Sequence, residues 1–228
     1  MKKNIVSMLS LADSFTIING LLGLFSIFFI FNEKIRMAFN FILLATLADG
    51  MDGIMARKYG SSLGKYMDEF SDTVSFCVAP AVMVFWKYSI GFRMDIMGML
   101  TLIACSVFLI GGMLHLVRYH IGKEDYFVGI TTPASAIIII SLSFLSFPEW
   151  GIIVALFLLA ILMVANIPYP RIERFFSIPA VVLILLAIIL GGKYYAIHLL
   201  LIGTTAYAII GPFYAYFVKN NRKNSGRK

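Results

Sequence analysis

Acidic side chains gather in one short stretch of an otherwise apolar chain. Five of its 12 acidic residues lie within 24 positions, namely Asp49, Asp52, Asp68, Glu69 and Asp72. Asp49 lies three residues before Asp52 and Asp68 lies four before Asp72, so each pair shares one face of a helix. Converging carboxylates repel each other, and hard divalent cations that prefer oxygen ligands compensate that repulsion. Two metal ions bridged by shared carboxylates would suit phosphoryl chemistry.

The elements that must position these acids are membrane-spanning helices. Hydrophobic residues make up 60% of the 228 positions, and charged residues make up 14%. Charged residues form roughly a quarter of ordinary soluble domains, so this composition excludes a soluble globular protein. Long apolar runs such as 180–190 lack the alternation of outer-membrane barrel strands. We therefore predict an all-α polytopic membrane protein.

Apolar runs that approach the roughly 20 residues of a bilayer crossing predict eight transmembrane helices. They fall at 14–32, 35–57, 65–88, 96–119, 132–147, 150–167, 176–191 and 194–217. Most of the 19 lysines and arginines lie on the side that holds both termini, and the positive-inside rule makes that side cytoplasmic. The location predicted is the cell membrane. Basic residues at helix ends account for the net charge of +7, so no nucleic-acid partner is expected.

The whole chain, 1–228, is predicted to form a single domain, because no linker interrupts the spans. Residues 1–12 combine a basic start with apolar positions, and we expect an amphipathic helix on the membrane surface there. Residues 218–228 are expected to form a basic cytoplasmic tail attracted to anionic headgroups. A homodimer is left open.

The second and third spans form an antiparallel hairpin, which sets the depth of each acid. At 1.5 Å per residue, Asp49 lies roughly 12 Å and Asp72 roughly 10 Å from the cytoplasmic helix ends. Asp52 and Asp68 are shallower, at roughly 7 Å and 5 Å. We therefore predict a polar cavity that faces the cytoplasm, with a metal pair between Asp49, Asp52 and Asp68 and with Asp72 at its inner edge.

Two other interpretations of the acids stay open at this point. Intramembrane acids also pair with basic residues, and Arg57, Lys58 and Lys65 are close in sequence. Cation transporters, a different class of protein, likewise place aspartates inside spans.

The segment from Asp49 to Asp72 resembles the signature of the CDP-alcohol phosphatidyltransferases. That signature reads D-x-x-D-G-x-x-A-R, a spacer, and G-x-x-x-D-x-x-x-D, and all its fixed positions are present. Six residues separate Arg57 from Gly64, where the usual spacer has eight, so the hairpin loop is shorter. The stretches DEFSDTVSFCVAPA, HLVRYH, YFVGITTPA and LMVANIPY are similar to the phosphatidylserine synthase branch, with His115 in place of an arginine.

The resemblance implies an enzyme of phospholipid biosynthesis. It implies transfer of a phosphatidyl or archaetidyl group from CDP-diacylglycerol or CDP-archaeol to the hydroxyl of L-serine, with release of CMP. It further implies two Mg²⁺ or Mn²⁺ ions on Asp49, Asp52, Asp68 and Asp72, with Asp72 as the catalytic base. The remaining roles that it implies are CDP-lipid binding by Thr16, Asn19, Gly53, Ala56, Arg57 and Gly64, and serine or phosphate binding by Arg118. Glycerol-3-phosphate or an inositol phosphate is the alternative acceptor within the family.

Overall fold

Helices make up almost the whole of the computed structural model, which describes residues 4–61, 63–89, 95–121, 127–170, 174–191 and 193–225. They are α1 (Leu11–Phe31), α2 (Ile35–Tyr59), α3 (Gly64–Asp72), α4 (Ala79–Tyr88), α5 (Ile96–Ile121), α6 (Thr132–Phe144), α7 (Glu149–Val164), α8 (Arg174–Leu190) and α9 (Ala196–Ser225). A π-helical turn, Thr73–Val78, joins α3 to α4 without a break. Over the described residues this gives eight helical segments, one for each predicted span.

Several of these helices suit a membrane by length and composition. Among the described residues, four are long and apolar enough to cross one, namely Leu11–Phe31, Ile35–Tyr59, Ile96–Arg118 and Ala196–Tyr216. Three further apolar helices are shorter, namely Thr132–Phe144, Glu149–Val164 and Ile178–Leu190. The length and composition of these helices thus confirm the prediction of an all-helical protein with helices suited to a membrane.

The two ends of the chain differ from the predictions. In place of an amphipathic helix over 1–12, the described part has one 3-10 turn at Ile5–Met8, and Ser10 then caps α1. At the other end, the backbone of α9 stays helical to Ser225, eight residues beyond the predicted end of the last span. Residues 1–3 and 226–228 lie outside the described residues.

A short antiparallel strand pair is the one non-helical pairing in the described part of the chain. β1 (Phe127–Val128) pairs with β2 (Pro168–Tyr169), which links the connection before α6 to the connection after α7. Gly129 follows β1 with a φ of 89°, and a Cβ there would lie 2.2 Å from the carbonyl oxygen of Met163. This close approach therefore requires glycine.

Helix α1 packs along the two helices that carry the acids. The hydroxyls of Ser71 and Ser75 donate hydrogen bonds of 2.8 Å to the backbone carbonyls of Thr16 and Asn19. A Cβ at Gly23 would lie 2.4 Å from the Oγ atom of Ser75, so glycine is needed for the helices to approach this closely. These hydrogen bonds to backbone carbonyls fix the register of α1 against α3 and the π-helical turn.

The π-helical turn has a local cause in Pro80. Proline lacks an amide N–H, and its ring clashes with the carbonyl four residues earlier in a regular helix. In the π-helical turn the backbone N–H of Ala79 donates to Val74, five residues earlier, which widens the helix just before the proline. The helix therefore continues through Pro80, and the widened turn begins directly after Asp72.

Candidate active site

Three carboxylates, one from α2 and two from α3, converge in one group. One carboxylate oxygen each from Asp49, Asp68 and Asp72 lies within 4.8 Å of the other two. Asp72 is buried, and Asp49 and Asp68 are half-buried. Oxygen donors of this kind fit Mg²⁺ or Mn²⁺, and a cation would relieve their mutual repulsion. Asp49 thus lies close to both Asp72 and Asp68, whereas the helix depths predict Asp49 beside Asp72 and Asp52 beside Asp68.

Asp52 has a different environment from the other three aspartates. It is buried beside α1, and its Oδ2 atom accepts a hydrogen bond of 3.0 Å from the hydroxyl of Thr16. The sequence predicts Asp72 at the inner edge of a metal pair between Asp49, Asp52 and Asp68. In the structure its carboxylate lies in one group with those of Asp49 and Asp68. Asp68 and Asp72 lie one helical turn apart on α3, so both can face Asp49 at once.

Helix α1 also fixes the orientation of Asp72. The side-chain amide of Asn19 donates a hydrogen bond of 2.8 Å from Nδ2 to the Oδ1 atom of Asp72. Asn19 is fully buried, and so is Thr16 three residues earlier on the same face. Hydrogen bonds from such neighbours hold carboxylates in the geometry that metal binding or proton transfer requires. The two α1 residues with predicted roles therefore contact the acids themselves.

The face of α2 beside Asp52 leaves room for a ligand. A Cβ at Gly53 would meet only the guanidinium of Arg57, at 3.8 Å, and one at Gly50 would meet nothing within 4 Å. Gly53 and Ala56 are half-buried, whereas Arg57 is exposed. Small side chains next to an exposed guanidinium suit the close approach of a nucleotide and its phosphates.

A hydrogen-bonded link across the short hairpin loop was not predicted from the sequence. Ser61 donates its hydroxyl hydrogen to the carboxylate of Asp13 and accepts a bond of 2.7 Å from the backbone N–H of Gly64. Asp13 is fully buried and also accepts from the backbone N–H of Ser10, at 2.7 Å. The S-x-x-D pattern at the start of α1 signals a capping box, but no local pattern connects it to the loop.

We expect Ser61→Ala to loosen this loop and to weaken CDP-nucleotide binding. The change removes the acceptor for the backbone N–H of Gly64 and the donor to Asp13, and losing one hydrogen bond of this kind costs about 0.5–1.5 kcal/mol. The measurements are the thermal unfolding midpoint in detergent and the Kd for a CDP-nucleotide. Ser61→Thr, which keeps the hydroxyl, is the matched control. Equal midpoints and equal Kd values for Ser61→Ala and the unmodified protein would contradict the role of the link.

Arg118 belongs to α5, and its side chain reaches the C-terminal end of α7. Its Nη1 atom donates a hydrogen bond of 3.1 Å to the backbone carbonyl of Ala165, and its Nη2 atom donates to the carbonyl of Val164. One turn earlier on α5, the buried ring of His115 bonds through Nδ1 to the carbonyl of Met163 at 3.0 Å. A guanidinium carries five N–H groups, so these contacts leave donors for a carboxylate or a phosphate. The role of Arg118 in acceptor binding stays a prediction.

Comparison with known proteins finds a matching family model and several similar enzymes. The family model described as CDP-alcohol phosphatidyltransferase matches residues 9–167. The chain is 30% identical to an archaetidylserine synthase of Methanothermobacter thermautotrophicus over 178 residues, 75% of this chain and 74% of the relative. It is 30% identical to a CDP-diacylglycerol–serine O-phosphatidyltransferase of Methanocaldococcus jannaschii over 210 residues, 91% of this chain and 95% of the relative. A Bacillus subtilis protein of the same name is 31% identical over 166 residues, 70% and 89% of the two chains.

Proposed function

The chain belongs to the CDP-alcohol phosphatidyltransferase family, and from that membership we propose that its reaction is the synthesis of a serine phospholipid. A phosphatidyl or archaetidyl group passes from CDP-diacylglycerol or CDP-archaeol to the hydroxyl of L-serine, and CMP leaves. The observation that carries the proposal is the convergence of Asp49, Asp68 and Asp72 within 4.8 Å inside the family signature. The names of relatives that align over most of both chains support serine as the acceptor.

The acids have the donor set that this chemistry needs. Asp49, Asp52, Asp68 and Asp72 would hold two Mg²⁺ or Mn²⁺ ions, which when bound neutralise the diphosphate of the CDP-lipid and so make CMP a better leaving group. The support for this metal set is that carboxylate oxygens suit hard cations and that three of the four already converge.

The CDP-lipid pocket that we propose lies between α1 and the glycine face of α2. Thr16 and Asn19 form its wall on α1, and Gly53, Ala56, Arg57 and Gly64 line the opposite side. The open space at Gly53 supports this assignment, as does the guanidinium 3.8 Å from its Cβ position. Arg57 has the charge and planar shape to bind a phosphate of the donor.

Asp72 is the base in the proposed reaction. Its carboxylate takes the proton of the serine hydroxyl, the serine oxygen bonds to the lipid-bearing phosphorus, and the bond from that phosphorus to CMP breaks. Serine is a poor nucleophile until it is deprotonated, so a base must lie beside it. The hydrogen bond from Asn19 supports this role because it fixes one carboxylate oxygen and leaves the other for the proton.

The orientation that we propose has eight spans in the cell membrane, both termini in the cytoplasm, and the polar cavity open to the cytoplasmic side. A lipid donor can then enter sideways from the bilayer while serine and CMP exchange with water. We expect a cysteine placed in the 58–64 loop of intact cells to resist reagents that do not cross the membrane. Labelling of this loop from outside the cell would contradict the orientation.

The acceptor is tested by offering the purified protein a CDP-lipid with a panel of labelled alcohols. We expect transfer to L-serine and none to glycerol-3-phosphate or an inositol phosphate, because a doubly charged phosphate needs several basic groups. In the segment after α5, Lys123 is followed directly by Glu124 and Asp125, which lie outside the described residues. Preferred transfer to a phosphorylated alcohol would contradict serine as the acceptor.

Ion flux in proteoliposomes without CMP release would instead favour a cation transporter.

A further inference from the structure

We propose that the side-chain carbonyl of Asn19 binds the ammonium group of the acceptor and so selects an amino alcohol such as serine. This inference rests on the proposed function, because it names the contact by which that same site recognises its acceptor. Neither the metal set nor the base assignment explains how an enzyme of this family would prefer serine to an alcohol without a positive charge.

The observation behind the proposal is a buried side-chain oxygen that lacks a hydrogen-bond partner. Asn19 is fully buried, and its Oδ1 atom has no hydrogen-bond partner within the described part of the chain. A buried carbonyl without a donor is costly, so native proteins rarely retain one that has no partner in the working state. The missing partner must be a donor.

The orientation of the Asn19 amide is fixed by its neighbour. Its NH₂ end donates to the Asp72 carboxylate at 2.8 Å, and the reversed amide would place two oxygens against each other. The carbonyl of Asn19 is therefore the end of the amide that does not contact the Asp72 carboxylate.

The positions of Asn19 and Asp72 match the chemistry of serine. The hydroxyl and the ammonium of serine sit on neighbouring carbon atoms, so two groups that bind them must lie close together. The oxygen and nitrogen of an amide are about 2.2 Å apart from the bond lengths, and the nitrogen of Asn19 contacts Asp72 directly. In the proposed complex, serine presents its hydroxyl to Asp72 and its ammonium to Asn19, and the side chains that enclose the buried Asn19 carbonyl move aside to admit it. Glycerol-3-phosphate and inositol phosphates carry no ammonium.

The test compares two acceptors in two variants. L-Serine and 3-hydroxypropionate share the hydroxyl and the carboxylate, and only serine has the ammonium. For each acceptor, kcat/KM is measured in the unmodified protein and in Asn19→Ala, and 3-hydroxypropionate is assayed as a competitive inhibitor if it is not turned over. We expect Asn19→Ala to reduce the preference for serine by roughly 10- to 100-fold, the factor for a hydrogen bond to a charged group.

A matched control separates recognition from positioning. Thr16→Ala removes the neighbouring contact from α1 to Asp52, and we expect it to lower kcat/KM for both acceptors by the same factor. Equal losses for both acceptors in Asn19→Ala would overturn the proposal and leave Asn19 as a positioning residue for Asp72. A weaker Kd for Mn²⁺ in Asn19→Ala, with an unchanged acceptor preference, would overturn it in favour of a metal ligand.

Folding and the proposed function are controlled separately. If Asn19→Ala does not fold, Asn19→Ser is used, because its shorter hydroxyl cannot reach the position of the carbonyl; the same loss of preference is expected. If the unmodified protein does not transfer to serine at all, the proposed function fails. If it transfers to serine and the variants keep their full preference for it, the inference about Asn19 fails alone.

Discussion

Asp72→Asn is expected to lower kcat by roughly 10²–10⁴-fold, the range for loss of one general base, while most CDP-lipid binding is kept. Asparagine has nearly the same shape as aspartate but cannot take a proton from the serine hydroxyl. The Asp72 carboxylate is buried and held by Asn19, so the substitution changes the chemistry of the site more than its packing. The measurement is the rate of CMP release at saturating substrates.

The control for Asp72 is a matched substitution across the hairpin. Asp49 lies in the same group of oxygens but is not proposed to be a base, so Asp49→Asn should weaken metal-dependent nucleotide binding strongly. Titration of that binding in both variants separates a base from a ligand. If Asp72→Asn loses as much binding as Asp49→Asn, then Asp72 acts only as a metal ligand and the base must be sought elsewhere.

The sequence predicts the helices and the acid pairs well because both depend on local spacing. Asp68 and Asp72 share a helix face by their interval of four, whatever the helix packs against. The short loop after Arg57 reverses the chain between α2 and α3, so the depth along each helix predicts that Asp49 lies near Asp72. Depth does not predict that Asp68, rather than Asp52, joins these two carboxylates. The eight helical segments likewise follow from apolar runs, although the length of α9 does not.

The hydrogen bonds that orient the acids could not be predicted in the same way. Thr16 reaches Asp52 across 36 positions of sequence, and Asn19 reaches Asp72 across 53. Such pairs depend on the rotation of α1 about its axis, which apolar periodicity does not set in a helix that is apolar on most faces. The same applies to the link from Asp13 to the loop. A family resemblance can mark these positions, but only the packing of three helices shows which atoms meet.

The position of Arg118 shows a second limit of prediction from the sequence. A basic residue at the end of a span has the same appearance in sequence whether it binds a substrate, a headgroup or a helix end. In the structure its guanidinium meets the carbonyls of Val164 and Ala165, which lack partners within their own helix as α7 ends. Hydrogen bonding by a cation at a helix C-terminus is favourable in itself. The site therefore combines predictable spacing with contacts that only the fold determines.

Removal of divalent metal is expected to abolish CMP release, and Mg²⁺ or Mn²⁺ should restore it. Without a cation, the anionic diphosphate of the donor would have to approach carboxylates that already lie within 4.8 Å of one another. Both the binding of the donor and the departure of CMP would then be opposed by charge. The activity assay is run after exhaustive chelation, and again after the metal is returned.

A readout that does not depend on turnover makes the metal prediction sharper. A ligand present at 100 times its Kd stabilises the folded protein by about 2.7 kcal/mol, so Mn²⁺ should raise the thermal unfolding midpoint of the unmodified protein. Asp49→Asn and Asp68→Asn should lose this rise together with activity, because each removes one of the three converging oxygens. Glu69→Gln is the matched control, since it removes an acid next to Asp68 that lies outside this group. Full turnover in excess chelator, or an equal rise in all three variants, would show that the carboxylates do not act through a metal.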